Sequence, residues 1–388
     1  MRHMRTTTGL VVLGMLMAAC TSSGEGEMLQ ELGEGEGELN LIIWSGYAEE
    51  GAVEGYDWVH PFEDATGCQV NATVQADSAT GVQMLQTGEY DGGSFSGNAT
   101  DRLMAAGDVA PVNVELLENY DAVFDGLKLQ PHNSLDGVPY GVPHGRGPNL
   151  LMWNTEEVDP QTTQAGLWAD AADYEGRFSV FDSPDFIADA ALQLMATQPD
   201  LGIENPYQLN QEQFDAAIAL IEEQFTHGPL FWDGVTFGEQ ITDFIAGDIV
   251  IGTTWQYQVN SLVAEEAPVE AIKPAEGATG WSDTWMIASE AEHPNCMYMW
   301  MDHMMSAEAN AMATVYFGEA STSEAACEAA EALSPGHCEQ THASDEAYWD
   351  DIWYWSTARE DCADDDDSTT CVDYDGWVEA WTTLRGTD

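Results

Sequence analysis

The sequence is almost without positive charge. Of 388 residues only 9 are Lys or Arg, against 69 Asp and Glu, for a formal charge of −60. Lys128 and Lys273 are its two lysines. Repulsion on this scale disfavours nucleic acid and anionic membrane surfaces as partners and leaves cations as the natural ligands. A carboxylate-coated surface also serves solubility, in saline surroundings among others, so bulk charge alone names no ligand. Long apolar runs are missing too: after the N-terminus nothing approaches the roughly 18 uninterrupted apolar residues of a membrane helix. There is no P-loop, no HExxH helix and no nucleophile elbow, and Ser, His and Asp fall into no recognisable catalytic frame. Catalysis is not expected. The best enzyme alternative is a secreted glycoside hydrolase, whose two opposed acids so acidic a chain can always supply.

At 388 residues and 44% apolar content the chain can build two lobes of ordinary size. Its start is a targeting signal. Arg2 and Arg5 precede an apolar run from Gly9 to Met17, too short for a permanent span, and small Ala18 and Ala19 lead to Cys20. Leu16-Met17-Ala18-Ala19-Cys20 looks like a bacterial lipobox, which makes 1–20 a lipoprotein signal peptide and Cys20 the lipidated residue. Residues 21–38, mostly Ser, Gly and Glu, read as a flexible acidic linker that cannot offset its ordering entropy by burial. The expected location is extracytoplasmic, on the cell membrane or in the periplasm, with a lipid as the only membrane contact and a monomer as the unit.

Six further cysteines, an even number in an exported chain, favour disulfides. The close spacings pair Cys327 with Cys338 and Cys362 with Cys371, leaving Cys68 with Cys296. Zinc is the alternative, but the short paired spacing of structural zinc is absent. No metal or other cofactor is expected, although the run Asp361 to Asp367, with Asp373 and Asp375, offers oxygen ligands for calcium. It lacks the alternation and glycine of an EF-hand loop, so a solvated acidic loop closed by a disulfide is the simpler reading.

Folded structure is expected from Leu39. Strand-like stretches at Leu39 to Trp44, Gln69 to Thr73, Arg177 to Phe181 and Ile249 to Thr254 alternate with helical ones. The latter fall at Thr80 to Gln86 with Ser78 as its cap, from Asp101 to Ala106, from Asp185 to Ala196 and from Gln211 to Phe225. The pattern is α/β, with ligands expected at strand ends. Aromatic residues beside polar ones follow three such ends: Trp44-Ser45-Gly46-Tyr47, Trp255-Gln256-Tyr257 and Trp281-Ser282-Asp283. Indole faces attract ammonium groups, at roughly 0.5 to 2 kcal/mol each, and a carboxylate such as Asp283 fixes an amine. Any single tryptophan is as readily a core residue.

Leu39 to Tyr47, Pro61 to Val70, Leu127 to Pro143, Trp168 to Phe181, Gly247 to Trp255, Lys273-Pro274-Ala275-Glu276-Gly277 and Trp281-Ser282-Asp283 resemble, in the same order, segments of the spermidine/putrescine-binding proteins of bacterial ABC transporters. The resemblance implies a type II periplasmic-binding-protein fold, two α/β lobes joined by crossing hinge strands and closing over a solute. Residues 39–144 with 282–322 would form one lobe, and 145–281 with 323–388 the other. It implies capture of a polyamine-like cation and delivery to an ABC permease, with Trp44, Ser45, Tyr47, Trp255, Trp281 and Asp283 as ligand residues. Departures from the family pattern bear on the ligand. Ser183 and Phe186 stand where the family has acids, Asn98-Ala99 where it has paired tyrosines, and Glu319 where it has a tyrosine. Asp182 and Glu319 are the acids expected to replace those lost. A quaternary amine, a guanidino compound or a sugar on the same fold is the alternative.

Overall fold

In a computed structural model, which describes residues 26, 28–362 and 370–386, the chain builds two five-stranded sheets and a small third sheet between them. The first sheet nucleates on Glu38–Ile43, whose Leu39, Leu41, Ile42 and Ile43 are all buried. It pairs in parallel with Gln69–Val74 on one side and Gly92–Phe95 on the other. Thr284–Ile287 then joins Gly92–Phe95 antiparallel, and Gly141–Pro143 completes the edge. The second sheet has the order Leu230–Trp232, Phe178–Phe181, Ile251–Thr254, Leu150–Asn154, Val269–Ile272. Each sheet has its own apolar core, one containing Trp58, Trp285 and Trp300, the other Trp153, Phe178 and Trp377.

The third sheet is the crossing. Going out, the chain passes from Gly141–Pro143 through Gly147–Pro148 to Leu150–Asn154; returning, it passes from Val269–Ile272 through Ala278–Trp281 to Thr284–Ile287. The two crossings pair antiparallel, with Gly280 opposite Pro148 and Gly147 opposite Trp281. Both glycines are needed there, because a Cβ on Gly147 would run into the Trp281 indole and one on Gly280 into the backbone of Gly147. Ile352–Tyr354 adds the third strand.

Helices cover the sheets. Gln211–Phe225 begins at a capping box between Asn210 and Gln213 and buries Phe214, Ala217 and Ile221 on one face. Two expected helix starts are corrected. The cap of Ser78–Leu85 is Asp77, whose carboxylate accepts from the Thr80 N–H at 2.7 Å, and Gly97–Ala106 begins four residues before Asp101.

Residues 28–37 are not free, contrary to the expected flexible linker. The Glu36 carboxylate accepts from the backbone N–H groups of Asn295 and Cys296 in the first turn of Pro294–Met304. An anion satisfying unpaired donors at a helix N-terminus outweighs the segment's poverty in apolar residues. The C-terminal remainder also divides, where a single lobe was expected. Glu324–Leu333 packs on Ala307–Phe317, whereas Trp377, Trp381 and Leu384 of Tyr374–Arg385 enter the core of the second sheet.

All three expected disulfides form, Cys68–Cys296, Cys327–Cys338 and Cys362–Cys371, so no thiolate among these six is left for zinc. The signal peptide 1–20 with Cys20, and the acidic stretch 363–369 with its calcium reading, lie outside the described residues. No described helix is long and apolar enough to cross a membrane.

Candidate functional site

Three turns bring Tyr47, Asp283 and Glu319 together. Tyr47 follows the first strand after Gly46, which adopts the left-handed φ of 85° that closes the turn. Asp283 stands where the returning crossing leaves Ala278–Trp281 for Thr284–Ile287. Glu319 comes directly after Gly318, the left-handed cap of Ala307–Phe317. The Tyr47 hydroxyl donates to Asp283 Oδ2 at 2.7 Å and lies 3.2 Å from Glu319 Oε1, while the Ser96 hydroxyl donates to Asp283 Oδ1 at 2.6 Å. All three residues are buried, and Glu319 Oε2 has no hydrogen-bond partner.

Two carboxylates on one phenol share too few protons. Tyr47 has a single O–H, and with that proton on Asp283 the Glu319 contact closes only if Glu319 is itself protonated and donates. The electrostatics agree. Burial, with the charge of Asp283 added, drives the Glu319 carboxyl well above its ordinary value, and burial pushes Asp283 up to about 6 against the Ser96 and Tyr47 bonds that lower it. His144 stacks on Tyr47 at 4.0 Å and places Nε2 3.9 Å from Glu319 Oε1. Because its Nδ1 accepts from Trp285 Nε1, the ring proton sits on Nε2, and burial lowers the imidazole to about 3. His144 therefore contributes no positive charge. The cluster is an acidic pair held half-discharged.

An aromatic group from the second half lies on the same crossing. Trp255 meets Trp281 edge-on at 6.3 Å and Trp355 at 6.4 Å, and Trp355 stacks on Phe181 at 5.4 Å. A relay of hydrogen bonds orients Trp255. Its indole N–H donates to Asn149, the Asn149 amide to Thr279 Oγ1, and the Thr279 hydroxyl to Asp189 Oδ1, at 2.9, 2.7 and 2.7 Å. Burial raises Asp189 to about 7, with neighbouring Asp185 adding to the rise.

Of the eight residues expected to hold ligand, Tyr47, Asp283 and Glu319 converge, and Trp255 and Trp281 form the aromatic group. Trp44 is half-buried against the core of the first sheet, and Ser45 is exposed. Asp182 does not join them. Its carboxylate accepts from Trp381 Nε1 at 3.0 Å and Arg385 Nε at 3.1 Å, so it anchors the C-terminal helix. Phe186, read as a lost acid, is a core residue stacked on Trp168.

The acid that does reach the boundary between the halves is Asp185, which sequence reasoning passed over. Its Oδ2 accepts from Asn98 Nδ2, on the helix after the first sheet, and from Ser183 Oγ, both at 2.7 Å; Oδ1 is buried without a partner, as is Asn98 Oδ1. Burial raises Asp185 to about 6. The available signal was Pro184-Asp185 opening a helix after a strand, one residue short of Phe186. Ser96 and His144 carried no sequence signal.

Residues 57–335 match the family described as bacterial extracellular solute-binding protein. The chain belongs to that family. Among curated relatives, this solute-binding protein is 20% identical over 327 residues to spermidine/putrescine-binding periplasmic protein 1 of Haemophilus influenzae, covering 81% of this chain and 84% of that one. Among solved structures it is similar to the spermidine/putrescine ABC transporter substrate-binding protein of Streptococcus pneumoniae. That match has a TM-score of 0.67, 15% identity, and covers 90% of this chain and 97% of the other. A binding protein from A. tumefaciens in complex with agropinic acid superposes with a TM-score of 0.61 and 15% identity, covering 90% and 97%. The fold is that of periplasmic binding proteins, as expected, and the relatives are transport substrate-binding proteins, not enzymes. The chain is thus a solute-binding protein, on a fold whose members are solved with chemically different solutes.

Proposed function

We propose that this protein is exported, tethered through a lipid on Cys20, and captures a small organic cation of the polyamine class between its two lobes for delivery to an ABC permease. The observation that carries the reading is the convergence of Asp283 and Glu319 on the Tyr47 hydroxyl, with Glu319 Oε2 buried and unpartnered. Buried carboxylates without a counter-charge are costly, and an alkylammonium would supply the missing charge and donors. Trp255 and Trp281 offer aromatic surface to the methylene chain and ammonium. Asp185, whose buried Oδ1 has no hydrogen-bond partner, is suited to the second amine. The Asn98 to Asp185 bond is a closure contact, and ligand engaging both lobes would shift an open form towards it. Names borne by distant relatives point to the same solute class.

The test is quenching of tryptophan fluorescence by putrescine and spermidine in the soluble protein and in Glu319→Gln. The variant, which keeps the shape but loses the acid, is expected to bind at least about tenfold more weakly, the value of one charge-assisted hydrogen bond. Equal affinities would remove Glu319 from the site, and the absence of any polyamine response would overturn the solute class while leaving the fold untouched.

A further inference from the structure

A cavity of about 410 Å³ opens beside the third sheet, lined among others by His132, Arg146, Tyr207, Trp353, Tyr354 and Trp355. In a chain with 9 basic residues, one of them, Arg146, is buried to 1% exposure here. Its guanidinium covers the Trp349 ring at 4.1 Å but is poorly served with acceptors. One nitrogen donates to Glu346 Oε1 at 3.1 Å and to the Ala343 carbonyl at 3.4 Å, the other reaches the Tyr354 hydroxyl at 3.5 Å, and Nε has no acceptor. His132 Nε2, in the same wall, is also buried and unpartnered. An arginine fork with one side-chain carboxylate and an idle Nε is set to receive a bidentate carboxylate.

Glu346 is the internal occupant of that fork. It opens the single-turn helix Glu346–Trp349, its side chain is half-exposed, and the missing side chain of Gly126 leaves the space its carboxylate fills. It can leave the fork without disturbing a core. A ligand entering with a carboxylate alone would bring more negative charge to a −60 molecule, so the natural guest carries its own cation. Trp353, Trp355, Tyr207 and Tyr354 supply the aromatic faces for it, with Asp350 also on the wall.

We propose that this cavity is a second ligand site, which takes a small zwitterion with its carboxylate on Arg146 in place of Glu346 and its ammonium against the aromatic wall. The backbone of Arg146 bridges to Ala320, next to Glu319, and the guanidinium has none of the acidic pair among its partners; Trp355 is shared between this wall and the aromatic group around Trp255. The inference goes beyond the cation reading and does not rest on it.

Calorimetric titration with glycine betaine, choline and acetate tests it, on the wild type and on Glu346→Gln, a half-exposed position whose neutral isostere preserves folding. Betaine is expected to bind the wild type, with choline and acetate each at least about tenfold weaker, since each lacks one of the two charges. In Glu346→Gln, betaine is expected to bind about tenfold more tightly because the internal competitor no longer carries charge. Choline binding as tightly as betaine, an unchanged or weakened betaine affinity in the variant, or no saturable betaine binding in either protein would overturn the proposal. Putrescine affinity is expected to be equal in both proteins, so failure of one site is read apart from failure of the other.

Discussion

Asp189→Asn makes the sharpest prediction about the buried acids. Asp189 holds the far end of the relay from Trp255, and burial with the nearby charge of Asp185 takes it from an ordinary 3.8 to about 7. A folded value above the unfolded one means that the native state binds the proton more tightly. The associated stability is complete below about 3.8 and is lost as pH rises through about 7. At about 1.4 kcal/mol per tenfold in proton affinity, the full loss is about 4 kcal/mol, of which about 3 falls between pH 5 and pH 8. Asparagine never ionises, keeps an oxygen for the Thr279 hydroxyl and introduces an N–H whose unmet bonding costs about 1 kcal/mol at every pH. The variant is therefore expected to differ little from wild type at pH 5, clear of the isoelectric point near 4.1, and to be about 3 kcal/mol more stable at pH 8. Urea unfolding followed by both tryptophan fluorescence and far-UV circular dichroism measures this, coincident transitions licensing a single free energy. A stability difference that stays constant from pH 5 to pH 8 would refute the reasoning.

Other expectations follow from particular contacts. Asp182→Asn should leave putrescine affinity within about twofold, because Asp182 serves Trp381 and Arg385; the variant should instead expose the C-terminal helix to proteolysis, and a large loss of affinity would return Asp182 to the site. Replacing Cys68 and Cys296 together by serine opens a loop of 228 residues and should cost about 4 to 5 kcal/mol, seen as a lower midpoint in urea. Putrescine affinity should rise from pH 5 to pH 8 as Asp283, near 6, and then Glu319 become free to ionise; a flat profile would separate the cation from these acids.

What could be read from the residues alone was whatever is fixed by local pattern. The apolar run at Leu39 to Trp44 has to be an inner strand, and Cys327 and Cys338 are close enough in sequence for their pairing to be read from spacing. Trp281-Ser282-Asp283 stands out as two ligand-type residues at a strand end. Contacts set by long-range packing could not be read in this way. Glu36 meets Asn295 across 259 residues, and no composition rule announces that an acid in a Gly-rich stretch will cap a distant helix. Asp182 and Asp185 are three residues apart at the end of one strand, yet one turns to Arg385 and the other to Asn98; that choice depends on where the C-terminal helix docks. The acidic pair is similar. Tyr47 and Asp283 meet across 236 residues, and their sharing of protons with Glu319 is a property of burial that residue identity does not carry.

The most direct test of the central claim is calorimetric titration of putrescine at pH 7 in two buffers of different ionisation enthalpy. If the cation replaces the proton shared by Asp283, Glu319 and Tyr47, binding is saturable and its heat differs between buffers, reporting proton release into solution. Glu319→Gln should lose most of that difference. Binding with the same heat in both buffers, or no binding of putrescine at all, would contradict the account.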